Sequence, residues 1–393
     1  MKVSNNMPRL YLIYAILPEQ LQYSNGTALR LTSLRKCFSV SYEIIEINLL
    51  SVRPTLKQKI LSKILIFLGL NNLRYLPLVS RIPNLSRSDK VLFSGIYCSS
   101  LALLFRHIQC SVDLVDSLTR TDWRGIQSFW YLRPIYHLIQ FPISFLLEKL
   151  VLNSPCIKTI FLTTEKEVIW LDYFHGQSKK VAILPNLLPS PAALSYTSTD
   201  FDGKLLLASK PGCVDVAVLA SLDWWVNRKM FVECVSILSL YQSTRPNAPC
   251  FKLHLYGTPD SCKHLARVIV NPRIILLNFG IIDSLNIISI TCRFALLPNL
   301  IGRGFQNKLF SMLGTSIPLI VDESMMPYEN NSQRAVPPSL FICSSKDQYL
   351  SSIDMVLSLP ISARCSYHNA TNLYFNNLTN ETLESFCFAR SII

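Results

Sequence analysis

The chain has 393 residues, half of them hydrophobic and 16% charged, which excludes a mainly disordered polymer and, at ordinary domain sizes, a single domain. Its 12 glycines and 22 prolines exclude collagen-like chains, and no uncharged apolar run approaches the roughly 20 residues that a spanning helix needs, which argues against a polytopic membrane protein. Residues 1–190 hold 22 Lys and Arg against 11 Asp and Glu, so +11 of the formal +13 charge lies in the first half.

The first predicted element is Leu10–Leu17, a short apolar run suited to a strand buried on both faces of a parallel sheet. Pro8-Arg9 precedes it and Pro18-Glu19 follows, so it reads as a strand and not as a signal peptide. A polar loop with the turn signal Asn25-Gly26 leads to a helix over Ala28–Cys37 and then the strand YEIIEINLL. Residues 55–70 are predicted helical, with Lys59 and Lys63 on one face. VLFSGIY reads as a strand, LALLFRHI as a helix and SVDLVDS as a strand ending in acidic residues. Gln127–Asn153 is a long aromatic-rich helical stretch, expected to break near Pro142. TIFLTT, EKEVIWLDYF and VAILPN follow as strand, helix and strand.

Residues 187–203, with two prolines and several Ser/Thr, read as an interdomain linker. The alternation then restarts. KLLLAS and VAVLASL are predicted strands, Met230–Tyr241 a helix, KLHLYG a strand, DSCKHLARVI a helix and RIILLNFG a strand. SLNIISITC is a short helix, RFALLP a strand, FQNKLFSMLG a helix after a Gly-containing loop, and IPLIV a strand. Two successive βαβ series imply an α/β protein of two Rossmann-like doubly wound domains, residues 1–186 and 204–370, facing each other across a cleft. Ligands then bind at the carboxyl ends of the strands.

Twelve cysteines are scattered singly without a C-x-x-C, most of them in apolar strings, and read as reduced core residues of a cytosolic protein. The six histidines show no metal spacing, so neither a metal site nor a cofactor is expected. The basic, apolar first half calls for an anionic partner. The sequence lacks a basic helix interleaved with aromatics and a Cys/His finger, so the expected partner is an anionic membrane surface and not nucleic acid. The expected location is cytoplasmic, peripheral on the inner face of the plasma membrane.

The segment LLPNLIGRGFQNKLFSMLGTSIPLIV, residues 296–321, is the most informative. A strand ends at Pro298, Gly302 and Gly304 turn the chain, and Lys308 enters with the next helix. Glycines let backbone N–H groups approach a phosphate and a lysine adds a full charge. The reading is an anion site, or else a glycine turn before a surface helix. A P-loop is absent.

This Gly-x-Gly-x-x-x-Lys pattern resembles the donor site of group 1 (family 4) glycosyltransferases of GT-B fold. VAILPNLL with Pro185-Asn186, VLASLDWWVNRKMFVECV with Asn227, LHLYGTPDS, LLNFGIIDSL and FLTTEKEVIWL resemble further family segments in the same order. The resemblance implies transfer of a sugar from a nucleoside-diphosphate sugar, with retention and without a metal, to a lipid-linked or polysaccharide acceptor in cell-surface glycan biosynthesis. It assigns Asn227, Gly257, Gly302, Gly304, Lys308 and Ser311 to the donor, with Lys308 also catalytic. It places Asp116 at the catalytic side and the loop of Asn25 and Gly26 at the acceptor side. Asp113, at the end of the same strand as Asp116, is expected to face the cleft on the acceptor side, and Arg120 either holds an anionic acceptor or is solvated. Asp116 or Ser117 serves equally as the cap of the next helix, and Asn25-Gly26 as a plain turn. The resemblance also implies that residues 371–393 form a helix packing back toward the first domain. One departure is clear: the family's ribose-binding Glu is Ser311 here, and its upstream partner Glu is Arg303. The alternative is a catalytically weak or inactive GT-B protein acting as partner or scaffold in glycan assembly.

Overall fold

The computed structural model describes residues 7–17, 26–67, 70–127, 133–188, 212–222, 224–257, 271–280, 285–298, 307–315, 317–326, 336–360 and 363–393. Among them, β1 (Arg9–Tyr14), β2 (Glu43–Asn48), β3 (Lys90–Ser94), β4 (Cys110–Val115), β5 (Ile157–Leu162) and β6 (Val181–Ile183) form one parallel sheet in the order β2-β1-β3-β4-β5-β6. A second parallel sheet is built from β7 (Cys213–Leu219), β8 (Cys250–Tyr256), β9 (Ile274–Gly280), β10 (Phe294–Leu297), β11 (Leu319–Asp322) and β12 (Leu340–Cys343). Its order is β12-β11-β10-β7-β8-β9. Phe294, Ala295, Leu296 and Leu297 of β10 are all fully buried, which is why central strands read as continuous apolar runs instead of alternating ones.

Among the described residues the α-helices longer than four residues are α1 (Gly26–Phe38), α2 (Leu56–Phe67), α3 (Leu118–Ile126), α4 (Arg133–Asn153), α5 (Glu165–His175), α6 (Trp225–Thr244), α7 (Asn286–Thr291), α8 (Asn307–Leu313), α9 (Lys346–Ser358) and α10 (Ala363–Ile392). Helix α10 begins before the expected position and serves both cores. Its Phe375 and Leu378 join the cluster around the second sheet, and its Phe386 and Ala389 join one on the first.

Several expectations are corrected. Helix α4 runs unbroken through Pro142. The carbonyl one turn upstream belongs to Leu138, an exposed residue, and Asp122 holds the helix on both sides of the proline through His137 and Ser144. LALLFRHI shrinks to a 3-10 turn over Ser100–Leu104, and α6 extends beyond Met230–Tyr241 at both ends. Strand β12 and helix α9 had no sequence expectation. KLLLAS, DSCKHLARVI and most of the 187–203 linker lie outside the described residues.

In the second sheet the chain leaves β7 toward β8 on one side and returns to β10 on the other. The order reverses between β7 and β10, and the crevice beyond their carboxyl ends is where such sheets take ligands.

Candidate active site

Two chain segments meet at that crevice. After β7, Ser221 and Leu222 lead into α6, whose third residue is Asn227; after β10, the chain re-enters as α8, whose second residue is Lys308. Lys308 Nζ donates to Asn227 Oδ1 at 2.7 Å and lies 3.9 Å from Met230 Sδ. Asn227 is itself held, since its Nδ2 donates to Ser221 O at 2.9 Å. Both partners of the ammonium are neutral, and among the described residues no carboxylate pairs with it. Burial lowers the Lys308 pKa to about 8. Nearby Cys234 adds no counter-charge near neutral pH, because burial pushes its thiol well above the ordinary range. Helix α8 is only seven residues long, and the positive charge shown at its start is the Lys308 ammonium. A cation fixed by an amide oxygen, with no acid among the described residues to neutralise it, has the chemistry to pair with an anion.

Ser311, one turn along α8, is half-buried. Gly257, just after β8, adopts φ +86°, and its N–H donates to Gly280 O at 2.6 Å. A Cβ there would lie 3.6 Å from Ala220 O, beside the segment that holds Asn227, and its backbone conformation would be strained. Trp225 is buried while Trp224 is exposed. Gly302 and Gly304, together with Arg303, lie outside the described residues, as does Asn25. Gly26 opens α1.

The first domain departs more from the sequence reading. Asp113 does not face a cleft: it is fully buried, Arg30 Nη2 donates to its Oδ1 at 2.5 Å, and Ser94 Oγ to its Oδ2 at 2.8 Å. The same guanidinium donates to Leu184 O and, at 3.3 Å, to Asn186 Oδ1. Asn186 Nδ2 in turn donates to Asn307 Oδ1 at 3.3 Å, so this network ends beside Lys308. Arg120 is not an open acceptor contact either. It is buried and ion-paired to Glu167 at 2.5 Å, while Glu167 also accepts the Ser117 N–H at 2.7 Å. Glu148 occupies the start of α3, accepting from Ser117 Oγ at 2.8 Å, from the Leu118 N–H and from Thr119 Oγ1 at 2.6 Å. The protein's own carboxylate thus fills the anion position at this helix start.

Ser117, not Asp116, caps α3: its side chain accepts the Arg120 N–H. Asp116 is half-buried, and Thr163 Oγ1 donates to its Oδ1 at 3.4 Å. Its N–H closes a three-residue turn on Leu114 O at 2.8 Å around Val115, the one described non-glycine residue with positive φ, +68°. A β-branched residue in this region is strained, and such strain clusters at functional positions.

Sequence reasoning missed Arg30, Ser94 and Glu148. For Glu148 a signal exists: His137, Gln140, Ser144 and Glu148 form a polar row at helical spacing inside an otherwise apolar stretch.

No protein-family model matches the chain, and no curated protein matches it. Solved structures do. The α,α-trehalose 6-phosphate synthase of Burkholderia multivorans matches with a TM-score of 0.62 at 11% identity, over 98% of this chain and 96% of that one. An α,α-trehalose-phosphate synthase (UDP-forming) from Burkholderia xenovorans, in complex with glucose-6-phosphate, gives 0.60 at 10% identity over 98% and 99%. The trehalose-6-phosphate protein of E. coli bound with UDP-2-fluoro glucose gives 0.55 at 11% identity over 98% and 99%. The fold is GT-B. The likeness extends over nearly the whole of each chain and so takes in both six-stranded sheets. At this identity it is a likeness of fold.

Proposed function

We propose that this chain is a glycosyltransferase that moves a sugar from a nucleoside-diphosphate sugar to an acceptor hydroxyl with retention of configuration. The observation that carries the reading is the Lys308 ammonium, held by Asn227 at the switch point of a GT-B sheet without a neutralising carboxylate among the described residues. As the sugar–oxygen bond breaks, charge grows on the departing diphosphate. Lys308 stabilises it most when the charge is greatest, which favours the transition state over the bound donor. Asn227 holds the ammonium in place without cancelling it. Asp116, at the strained end of β4, is proposed to orient the acceptor hydroxyl. The acceptor class proposed is a lipid-linked or polysaccharide glycan, and the pathway the assembly of cell-surface glycans.

A second reading, a GT-B protein that binds nucleotide without turnover, is favoured by Ser311. A serine can hydrogen-bond a ribose hydroxyl, but without the charge assistance of the Glu in the family that the sequence resembles. The test is a panel of nucleotide sugars, scored by thermal stabilisation of the pure protein and by release of nucleoside diphosphate. Stabilisation with release is expected. Stabilisation without release supports the second reading, and no stabilisation by any nucleotide sugar contradicts both.

A further inference from the structure

Helix α2 and the first part of α4 are built inside out. In α2 the inward side chains Gln58 and Ser62 are polar and fastened to the domain. Gln58 Nε2 donates to Pro77 O at 3.2 Å, Arg81 Nη2 to Gln58 Oε1 at 3.2 Å, and Ser62 Oγ to Arg74 O at 2.8 Å. Leu65 is the helix's buried residue, whereas Leu56, Ile60, Ile64 and Phe67 are exposed, Phe67 to 89%. The pattern recurs in α4 as far as Leu146, beyond which Leu147, Val151 and Leu152 turn inward as ordinary core residues. His137, Gln140, Ser144 and Glu148 are buried, while Ile135, Leu138, Ile139, Leu146 and Leu150 are exposed. The two helices are linked through Asn72, in the turn after α2, whose Nδ2 donates to Ser144 Oγ at 2.8 Å.

A surface helix in water normally turns its apolar face inward, and contiguous apolar exposure marks a binding surface. Residues Pro134–Asn153 are long and apolar enough to cross a membrane. Their polar row, however, is tied to the domain through Asp122, Ser117 and His175, so the helix lies against the protein with one face open. Charge identifies what covers that face. Helix α2 carries Lys57, Lys59 and Lys63, all exposed, and no acidic residue. Lysine stems lie along apolar surface while their ammonium groups reach the polar boundary. An anionic bilayer offers both parts at once, acyl chains for the apolar rows and negative headgroups for the lysines. We propose that the outer faces of α2 and α4 dock in the interface of an anionic lipid bilayer. This rests on the two helices and is independent of the catalytic reading.

The test is co-sedimentation of the full chain with vesicles of phosphatidylcholine alone or mixed with phosphatidylglycerol. Wild type is expected to bind the mixed vesicles more tightly, and less so as salt rises. Lys57→Gln/Lys59→Gln/Lys63→Gln is expected to weaken that binding at least about tenfold, since each basic residue near such a surface contributes roughly 1 kcal/mol. Ile60→Ser/Ile64→Ser/Phe67→Ser is expected to do the same, with the melting temperature of both variants unchanged. Equal binding to both vesicle types, or variants that bind like wild type, overturns the proposal. So does absence of vesicle binding in a chain that self-associates with concentration and becomes monomeric in the serine variant, because a second copy then covers the face.

Discussion

Lys308 and Asn227 lie 81 residues apart in sequence, yet their side chains meet at 2.7 Å. The contact joins the segment after β7 to the segment after β10, the two strand ends between which the sheet order reverses. If Lys308 stabilises a diphosphate, Lys308→Ala is expected to weaken nucleoside-diphosphate binding roughly tenfold or more, the size of one charge-assisted contact. Isothermal titration reads this directly.

Asn227→Asp is the sharper variant. It is nearly isosteric but adds an anion that would pair with Lys308 and compete with phosphate. Nucleotide affinity is expected to fall although the hydrogen bond to Lys308 persists, and the Lys308 pKa is expected to rise from about 8 toward the ordinary lysine value. Affinity equal to wild type would count against the proposed role of the neutral partner.

The lowered Lys308 pKa fixes a pH dependence. Its value of about 8 lies below the ordinary 10.5, so between these values the unfolded chain binds more protons and this group's contribution to stability rises with pH. Nucleotide binding runs the other way. A bound diphosphate favours the charged form, so binding above pH 8 must take up a proton. Affinity is expected to be level below about pH 8 and to fall by up to about tenfold per pH unit above it. Titration in buffers of different ionisation enthalpy measures the proton uptake.

Asp113 is expected to matter for stability and not for chemistry. Asp113→Ala leaves the Arg30 guanidinium buried without its partner, a change that costs about 3–5 kcal/mol. Chemical unfolding is expected to show this loss. A fully stable Asp113→Ala that lost only turnover would return the residue to the active site.

Val115 gives the opposite pattern. Val115→Gly removes a left-handed strain of about 1–2 kcal/mol, offset by the greater freedom of glycine when unfolded. Stability is expected to change by less than about 1 kcal/mol while turnover falls, because Asp116 loses its fixed direction. Unchanged turnover would detach Asp116 from the reaction.

Much of the fold was legible because both sheets are parallel and buried, so strands such as β1 and β10 appear as short, mostly apolar runs between helices. Lys308 and Asn227 were singled out by the glycine-containing pattern and the segments that resemble the family, and the structure brings their side chains together. The Arg30–Asp113 pair was not, since nothing local in SVDLVDS distinguishes an acid that faces a cleft from one that meets a guanidinium 83 residues earlier. Arg120 failed for the same reason, its partner Glu167 lying 47 residues later. Pro142 misled because the local rule ignores tertiary restraint, whereas Asp122 holds α4 through His137 and Ser144 on either side of the proline. The outward apolar faces of α2 and α4 were visible only as greasiness, because periodicity gives a helix two faces without saying which one the domain takes.

The central claim is that Lys308 forms a nucleoside-diphosphate site. The most direct measurement is titration of UDP and GDP into wild type and Lys308→Ala at neutral pH, with both proteins shown to be folded. The account predicts binding of at least one nucleotide by wild type at millimolar concentration or below, and an affinity roughly tenfold or more weaker in the variant. No nucleotide binding by wild type, or equal affinity in Lys308→Ala, would contradict it.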